Sequence, residues 1–72
     1  MSKQPFSHMH RDTEPGTVVV HSPDGAVNGY IRRVRVRGQS RPGFVPLDEN
    51  RKALIDSYVD TRDRAWEWVN ER

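Results

Sequence analysis

With 72 residues, 33% of them hydrophobic and 31% charged, the chain can hold one small domain of marginal stability, and an enzyme's cleft is not expected. The chain has no cysteine, so disulfides are excluded. It also has no apolar run near the roughly 20 residues of a membrane span and no signal-peptide core, so we expect no membrane insertion and a cytoplasmic protein. The net charge of +2 conceals an asymmetry, because residues 29–41 carry five arginines and no acid, whereas residues 42–72 are richer in acids than in bases.

The first segment, residues 1–16 (MSKQPFSHMHRDTEPG), shows no hydrophobic period of 2 or 3.6 and contains two prolines. This composition predicts a flexible N-terminal arm. The remaining residues, 17–72, are expected to form a single domain. Its predicted parts are a hairpin over residues 17–37, a loop over residues 38–47 and a helix over residues 48–71.

The hairpin begins with TVVVH at residues 17–21, a β-branched run that is typical of a strand. It is followed by the turn sequence SPDG at residues 22–25 and, almost at once, by a second turn signal, Asn28-Gly29. Either turn could close the hairpin, so the register stays open. We favour one long connection over residues 22–29, which would pair residues 17–21 antiparallel with about residues 30–34.

The second strand contains YIRRVRVRG, in which a period of two separates two faces. One face holds Ile31, Arg33, Arg35 and Arg37, and we expect it to be exposed to solvent. The other holds Tyr30, Arg32, Val34 and Val36, and we expect it to face the core. The exposed row could be no more than a charged face that blocks edge-to-edge aggregation.

The last segment predicts an amphipathic helix, with Asp48 as its N-cap and no proline or glycine after Glu49. One broad face of that helix carries apolar residues: Leu54, Ile55, Tyr58, Val59, Ala65, Trp66 and Val69. Trp68 lies at the margin of this face, where it could close the core or dock on a partner. The expected fold class is α+β, a small ββα domain in which an antiparallel hairpin packs on one C-terminal helix.

The chain lacks a phosphate-binding glycine loop and a nucleophile in a recognisable setting, so we expect neither enzymatic activity nor a cofactor. The histidines His8, His10 and His21 include a His-x-His pair that could bind zinc. Two ligands on a flexible arm without a fixed third partner do not make a stable site. The sequence therefore predicts no metal binding.

Arginine offers a planar fork suited to phosphate or carboxylate, and alternate side chains on a strand lie about 6.6 Å apart. Arg33, Arg35 and Arg37 could thus follow the phosphates of DNA or RNA, or face an acidic protein surface. A valine-rich free edge of the first strand could also accept a strand from a partner. The candidate partner-binding residues are Arg32, Arg33, Arg35, Arg37, Arg41, Val18, Val20 and Trp68.

The size, the N-terminal arm, the basic hairpin VVVH…YIRRVRVR and the C-terminal DRAWEWVNER resemble a small phage-encoded transcription regulator that binds bacterial host RNA polymerase, of the kind found in a Xanthomonas phage. The resemblance implies binding to the N-terminal region of the largest polymerase subunit near the RNA exit, inhibition of host promoters by sigma displacement, and antitermination. We expect a monomer in the cytoplasm of the host bacterial cell.

A small DNA-binding or architectural protein of the excisionase kind is the alternative, with the arginine-rich strand as its contact to DNA. The predicted helix has an acidic outer face, on which Asp56, Asp60, Asp63 and Glu67 lie. Such a face is poorly suited to the major groove of DNA. The sequence therefore favours the polymerase regulator.

Overall fold

A computed structural model of the chain describes residues 8–22 and 24–71. The elements are β1 (His8–Arg11), β2 (Thr17–His21), β3 (Val27–Val34), β4 (Gly43–Leu47) and α1 (Arg62–Asn70). The strands form one antiparallel sheet in the order β1-β2-β3-β4, and α1 packs against β3 and β4. The expected α+β fold with one C-terminal helix is confirmed, although the described sheet has four strands where the sequence predicted two.

The first additional strand, β1, comes from residues that the sequence assigned to the arm. It pairs antiparallel with β2, with His8 opposite His21 and Arg11 opposite Val18. The turn over residues 12–16 joins the two strands, and Gly16 adopts the positive φ of 78° that this turn requires. The residues of β1 have little strand propensity, so the exposed backbone of β2 decides their conformation. Residues 1–7 of the predicted arm lie outside the described residues.

The second additional strand, β4, lies within the predicted loop over residues 38–47. Its residues pair with β3, with Leu47 opposite Tyr30 and Gly43 opposite Val34. The apolar residues around Phe44 extend the sheet, because the outer edge of β3 offers backbone hydrogen bonds to an extended segment.

The β2–β3 hairpin closes at the first of its two turn signals. The N–H of Ser22 donates to the carbonyl of Ala26, and the N–H of Gly25 donates to the carbonyl of Ser22, both at 2.9 Å. Gly25 has a φ of 93°. The connection is therefore short, and β3 begins at Val27, whereas the sequence favoured a connection over residues 22–29.

A bulge accommodates the second turn signal inside β3. Val20 lies opposite Gly29 and His21 opposite Val27, which leaves Asn28 as the extra residue. The side chain of Asn28 donates to that of Asn70 at 3.0 Å. The bulge thus contributes a polar link between β3 and the end of α1.

The predicted orientation of β3 is wrong, because the side that holds Ile31 faces the core. Ile31 is 1% exposed and packs with Val20, Ala65 and Val69 beneath α1. The opposite side of the sheet holds Tyr30 and Arg32, whose side chains meet loop residues. The choice of side follows from where α1 lies, which the alternation of residues in one strand does not reveal.

The predicted helix start at residue 48 is also wrong, since α1 begins at Arg62. Thr61 is the N-cap, with φ −135° and ψ 155°, and its hydroxyl accepts a hydrogen bond from the N–H of Arg64 at 3.2 Å. Asp48 caps only a turn, in which its side chain accepts from the N–H groups of Asn50 and Lys52. The cap signal at Asp48 was therefore real, but no helix follows it.

The residues between Asp48 and α1 lie beside β4 and do not form a helix. Phe44 and Val59 exchange two backbone hydrogen bonds of 2.9 and 2.8 Å, and the N–H of Leu54 donates to the carbonyl of Pro46 at 2.9 Å. These bonds give partners to the outer edge of β4. The β-branched residues and the serine and aspartates of this segment also lower its helix propensity. Pairing with the edge of β4 therefore determines the conformation of this segment, although its apolar residues follow a helical period.

Two tryptophans of α1 offer a matched test of this packing. Trp66 packs against the core, whereas Trp68 is 47% exposed. We expect Trp66→Ala to lower the free energy of unfolding by about 2–3 kcal/mol, and Trp68→Ala to change it by less than about 1 kcal/mol. Urea unfolding of both variants measures the difference. Equal losses would contradict the assigned face of α1.

Gly29 is required by the close approach of β3 to its neighbours. A Cβ atom at this position would collide with the carbonyl oxygen of Leu47 and meet Cγ1 of Val69 at 3.0 Å. We therefore expect Gly29→Ala to cost about 1–3 kcal/mol of stability through overpacking. Thermal unfolding of this variant, with the exposed Ser40→Ala as control, measures the cost, and a Gly29→Ala chain as stable as the control would refute the contact.

Candidate partner-binding surface

Six exposed arginines form no ion pair with a described acidic residue. They are Arg11, Arg33, Arg35, Arg37, Arg41 and Arg62. The other described arginines do form ion pairs: Arg32 with Glu14, Arg51 with Asp12 and Glu14, and Arg64 with Asp60. The six unpaired guanidinium groups are therefore the ones available to an external anion.

Three of these arginines meet at a groove of about 510 Å³ between β1, β3 and the start of α1. Arg11, Arg33 and Arg62 line it, one from each element, together with apolar residues that include Ile31 and Phe44. The guanidinium carbon of Arg62 lies 5.7 Å from the ring centroid of Phe44, within cation–π range. This groove thus combines three cations with an apolar wall.

A second groove, of about 470 Å³, is lined by Arg33, Arg35 and Arg41. It shares Arg33, Pro15 and Gly16 with the first groove, so the two are continuous. The N–H of Arg33 donates to the carbonyl of Gly16 at 2.8 Å, which fixes β3 to the β1–β2 turn at this junction. We call the continuous surface the arginine surface, and its basic residues are Arg11, Arg33, Arg35, Arg41 and Arg62.

The arginine surface includes Arg33, Arg35 and Arg41, three of the residues chosen from the sequence. Arg37 lies beside it, in the turn where the N–H of Gln39 donates to the carbonyl of Val36 at 3.1 Å, but it lines neither groove. Arg32 points to the opposite side of the sheet, where its Nε donates to Glu14 at 3.0 Å. The alternation of faces along β3 therefore separates Arg32 from the other predicted residues.

The predicted free edge at Val18 and Val20 is wrong, because β2 lies between β1 and β3. Val20 is fully buried in the core, and Val18 packs against it. The appearance of β1 on the other side of β2 explains the error. Neither valine is available to a partner strand.

Trp68 is exposed, as the docking alternative required, but it does not line the arginine surface. It borders a separate groove of about 300 Å³ between α1 and the segment beside β4, which Leu54 and Val59 also line. Arg64, Glu67 and Glu71 complete that lining. Trp68 therefore provides a second, more apolar surface with mixed charge.

Arg51 is one of the residues that sequence reasoning missed. Its Nη1 lies 3.0 Å from Oδ2 of Asp12 and 3.4 Å from Oε1 of Glu14, and its guanidinium carbon lies 4.0 Å above the ring centroid of Tyr30. Together with Arg32, it pairs with the two carboxylates of the β1–β2 turn, which borders the arginine surface. These two acids therefore do not compete for the unpaired arginines.

No sequence signal pairs Arg51 with Asp12 and Glu14, which lie 39 and 37 positions earlier in the chain. Its φ of 66° places it in the left-handed region, where a residue other than glycine is uncommon. Arg11 and Arg62 were likewise missed, because each lies outside the arginine-rich segment of residues 32–41. Only the packing of the sheet and α1 brings them to the same groove as Arg33.

Within the part of the chain that the structure describes, no helix is long and apolar enough to cross a membrane. No protein-family model, no curated protein and no solved structure matches this chain.

The Asp12–Arg51 pair predicts a pH dependence of stability. The hydrogen bond from Arg51 holds the pKa of Asp12 below its ordinary value of 3.8, and only 8% of this side chain is exposed. A carboxyl with a lowered pKa in the folded state stabilises the fold above its unfolded pKa and loses this effect as the pH falls through the folded pKa. The ion pair should therefore lose its stabilising effect only below pH 3.8.

We expect Asp12→Asn to unfold more easily than the wild type at neutral pH, and the two to converge in strong acid. Urea midpoints across the acid range measure this convergence. Asp24→Asn is the control, because hydrogen bonds from Ser22 and Ala26 lower the pKa of Asp24 without an ion pair. The addition of salt should weaken the Asp12 effect more than the Asp24 effect. A constant difference between Asp12→Asn and wild type at every pH would contradict the pairing.

Proposed function

We propose that this chain is a phage-encoded regulator that binds host RNA polymerase through its arginine surface, inhibits initiation at host promoters by sigma displacement and promotes antitermination. The observation that supports the proposal best is the convergence of five arginines from β1, β3, the following loop and α1. No described acidic residue pairs with any of them. Such an arrangement is expected to bind an external anionic surface.

The chemistry of this surface favours binding over catalysis. Arginine remains protonated in proteins, so it can donate hydrogen bonds to carboxylate or phosphate but cannot act as a general base. Asp12, the one acid that lines the first groove, is engaged by Arg51. The apolar wall formed by Ile31 and Phe44 would exclude water from a bound acidic side chain and strengthen its contact with the arginines.

A protein partner fits the distribution of charge better than duplex DNA does. The helix that a DNA reader would place in the major groove carries exposed acids, among them Asp63 and Glu67. The exposed Trp68 supplies an aromatic residue of the type that anchors protein interfaces. The acidic partner surface is proposed to be the N-terminal region of the largest polymerase subunit near the RNA exit, and the setting is the bacterial cytoplasm.

Charge reversal on the arginine surface provides the test. We expect the variant Arg33→Glu with Arg35→Glu to remain folded, because both side chains are exposed and unpaired. It should bind purified bacterial RNA polymerase roughly 100-fold more weakly than wild type, since each of the two reversed arginines loses a close charge pair that contributes about 1.5 kcal/mol or more. Biolayer interferometry measures the affinity, and circular dichroism checks the fold.

The matched control is Lys52→Glu with Asn50→Asp and Ser57→Glu, which changes the net charge by the same amount at exposed positions outside the arginine surface and the Trp68 groove. It should retain near-wild-type affinity. Equal loss in both variants would indicate a response to net charge alone. Failure of the wild type to bind polymerase, together with tight and salt-sensitive binding to duplex DNA, would replace the proposal with the excisionase-type alternative.

A further inference from the structure

The outer edge of β1 has no strand partner among the described residues. The sheet order is β1-β2-β3-β4, so β1 pairs with β2 on one side only. At the other end of the sheet, the edge of β4 is covered, because Phe44 and Val59 exchange two backbone hydrogen bonds. No backbone hydrogen bond from residues 8–22 or 24–71 reaches the outer side of β1. The two edges of the sheet therefore differ.

The register of the β1–β2 pair shows which backbone groups point outward. The N–H of Asp12 donates to the carbonyl of Thr17 at 2.9 Å, so these two residues form a hydrogen-bonded pair. Such pairs alternate along an antiparallel ladder, and His10 is therefore the next residue that bonds to β2. Arg11 lies between these two positions, and Met9 follows in the same alternation. The N–H and C=O groups of Met9 and Arg11 therefore point to the outer edge.

The side chains of the same two residues lie on the face of the sheet that carries α1. Arg11 is opposite Val18 and lines the first groove of the arginine surface. Met9 is opposite the buried Val20 and is itself 39% exposed. Directly opposed residues of paired strands share a face, so the residues of an added strand that bond to Met9 and Arg11 would also lie on this face. The backbone edge and the arginine surface would thus contact the same residues of a ligand.

We propose that β1 accepts an extended acidic segment of a partner protein as an additional antiparallel strand, whose carboxylates bind the arginine surface. This inference rests on the proposed function, because it names the kind of segment that the polymerase-binding surface takes. Backbone hydrogen bonds to an edge strand supply affinity, and alternate side chains supply specificity. A carboxylate opposite Arg11 fits this site, because no described acidic residue pairs with that arginine.

A second copy of this chain fits the edge less well than an acidic segment does. Antiparallel pairing of two β1 strands keeps both α1 faces on the same side, so it would bring two arginine surfaces next to each other. The sequence of β1, HMHR, offers no acid to compensate. Like charges across a strand pair are destabilising, and charged residues at an edge are a common means of preventing self-association. Charge therefore favours a partner strand of the opposite sign.

Hydrogen exchange of the free full chain tests whether the edge is open. We expect the amide of His10, which bonds to β2, to be at least tenfold more protected than the amides of Met9 and Arg11. Protection of Met9 and Arg11 in a monomer would show that the chain itself covers the edge. Protection that appears only when sedimentation detects a dimer would show that a second copy covers it. Either result overturns the proposal, as does equally fast exchange at all three residues.

The binding test uses an acetylated peptide that alternates glutamate with threonine, and a matched peptide with lysine in place of glutamate. In an NMR titration, the acidic peptide should shift and protect the amides of Met9 and Arg11, and the lysine peptide should bind at least tenfold more weakly. N-methylation of the glutamates, whose N–H groups would face β1, should weaken binding at least tenfold, whereas N-methylation of the threonines should not. Absence of binding by the acidic peptide, or equal binding by the two methylated peptides, overturns the proposal.

Met9→Pro and Met9→Ala are the matched variants of the protein. Proline removes an N–H that points outward, which an edge strand tolerates, whereas alanine removes only the side chain. Met9→Pro, with its fold checked by circular dichroism, should bind the acidic peptide at least tenfold more weakly than Met9→Ala, and equal affinity overturns the proposal. If Met9→Pro does not fold, the methylated peptides decide the question with the wild type.

Purified RNA polymerase separates this inference from the proposed function. A wild-type chain that binds the acidic peptide at β1 but does not bind polymerase refutes the proposed function and supports the strand addition. A wild-type chain that binds polymerase, with Met9→Pro binding it equally well, supports the proposed function and refutes the strand addition.

Discussion

The contact between Arg51 and the β1–β2 turn is the interaction on which the sheet face opposite α1 depends. Arg51 follows β4, whereas Asp12 follows β1, and their ion pair of 3.0 Å spans the sheet beside the ring of Tyr30. The contact holds the loop after β4 against the turn that supports β1. It also engages the carboxylates nearest to the arginine surface. One guanidinium group therefore contributes both to the fold and to the charge available for binding.

The small size of the domain explains why its two sheet faces differ so much. One helix of nine residues can cover only one side, so α1 packs on Val20 and Ile31 and forms the described core with Ala65 and Val69. Gly29 permits this close packing, because a larger residue would meet Leu47 and Val69. The opposite side is covered instead by loop side chains and ion pairs. A short chain thus uses polar contacts where a larger domain would use a second apolar layer.

The arginine surface and the histidine pair, formed by the contacting rings of His10 and His21, both lie where the covering elements end. Arg33 lies on the same face as Ile31 but beyond the packed part of the core, where Arg11 and Arg62 approach it from neighbouring elements. The histidine pair lies across the first two strands, near the hairpin turn that holds His21. Neither region requires a change in the packed core. The exposed arginines can therefore be altered by mutation without a change in the packed core.

The sequence by itself determined the local features of this protein. The β-branched run at residues 17–21 is β2, and the arginines after Arg32 are exposed because a long, permanently charged side chain is rarely buried without a partner. Only the tertiary structure decided which face of β3 is buried, whether residues 48–60 form a helix, and which arginines are paired. Each of these depends on a partner that is distant in the sequence: α1 above Ile31, the edge of β4 beside Val59, and Asp12 beside Arg51. Periodicity reports the preferences of a segment, whereas pairing across the sheet satisfies backbone groups and charges that the segment cannot satisfy alone.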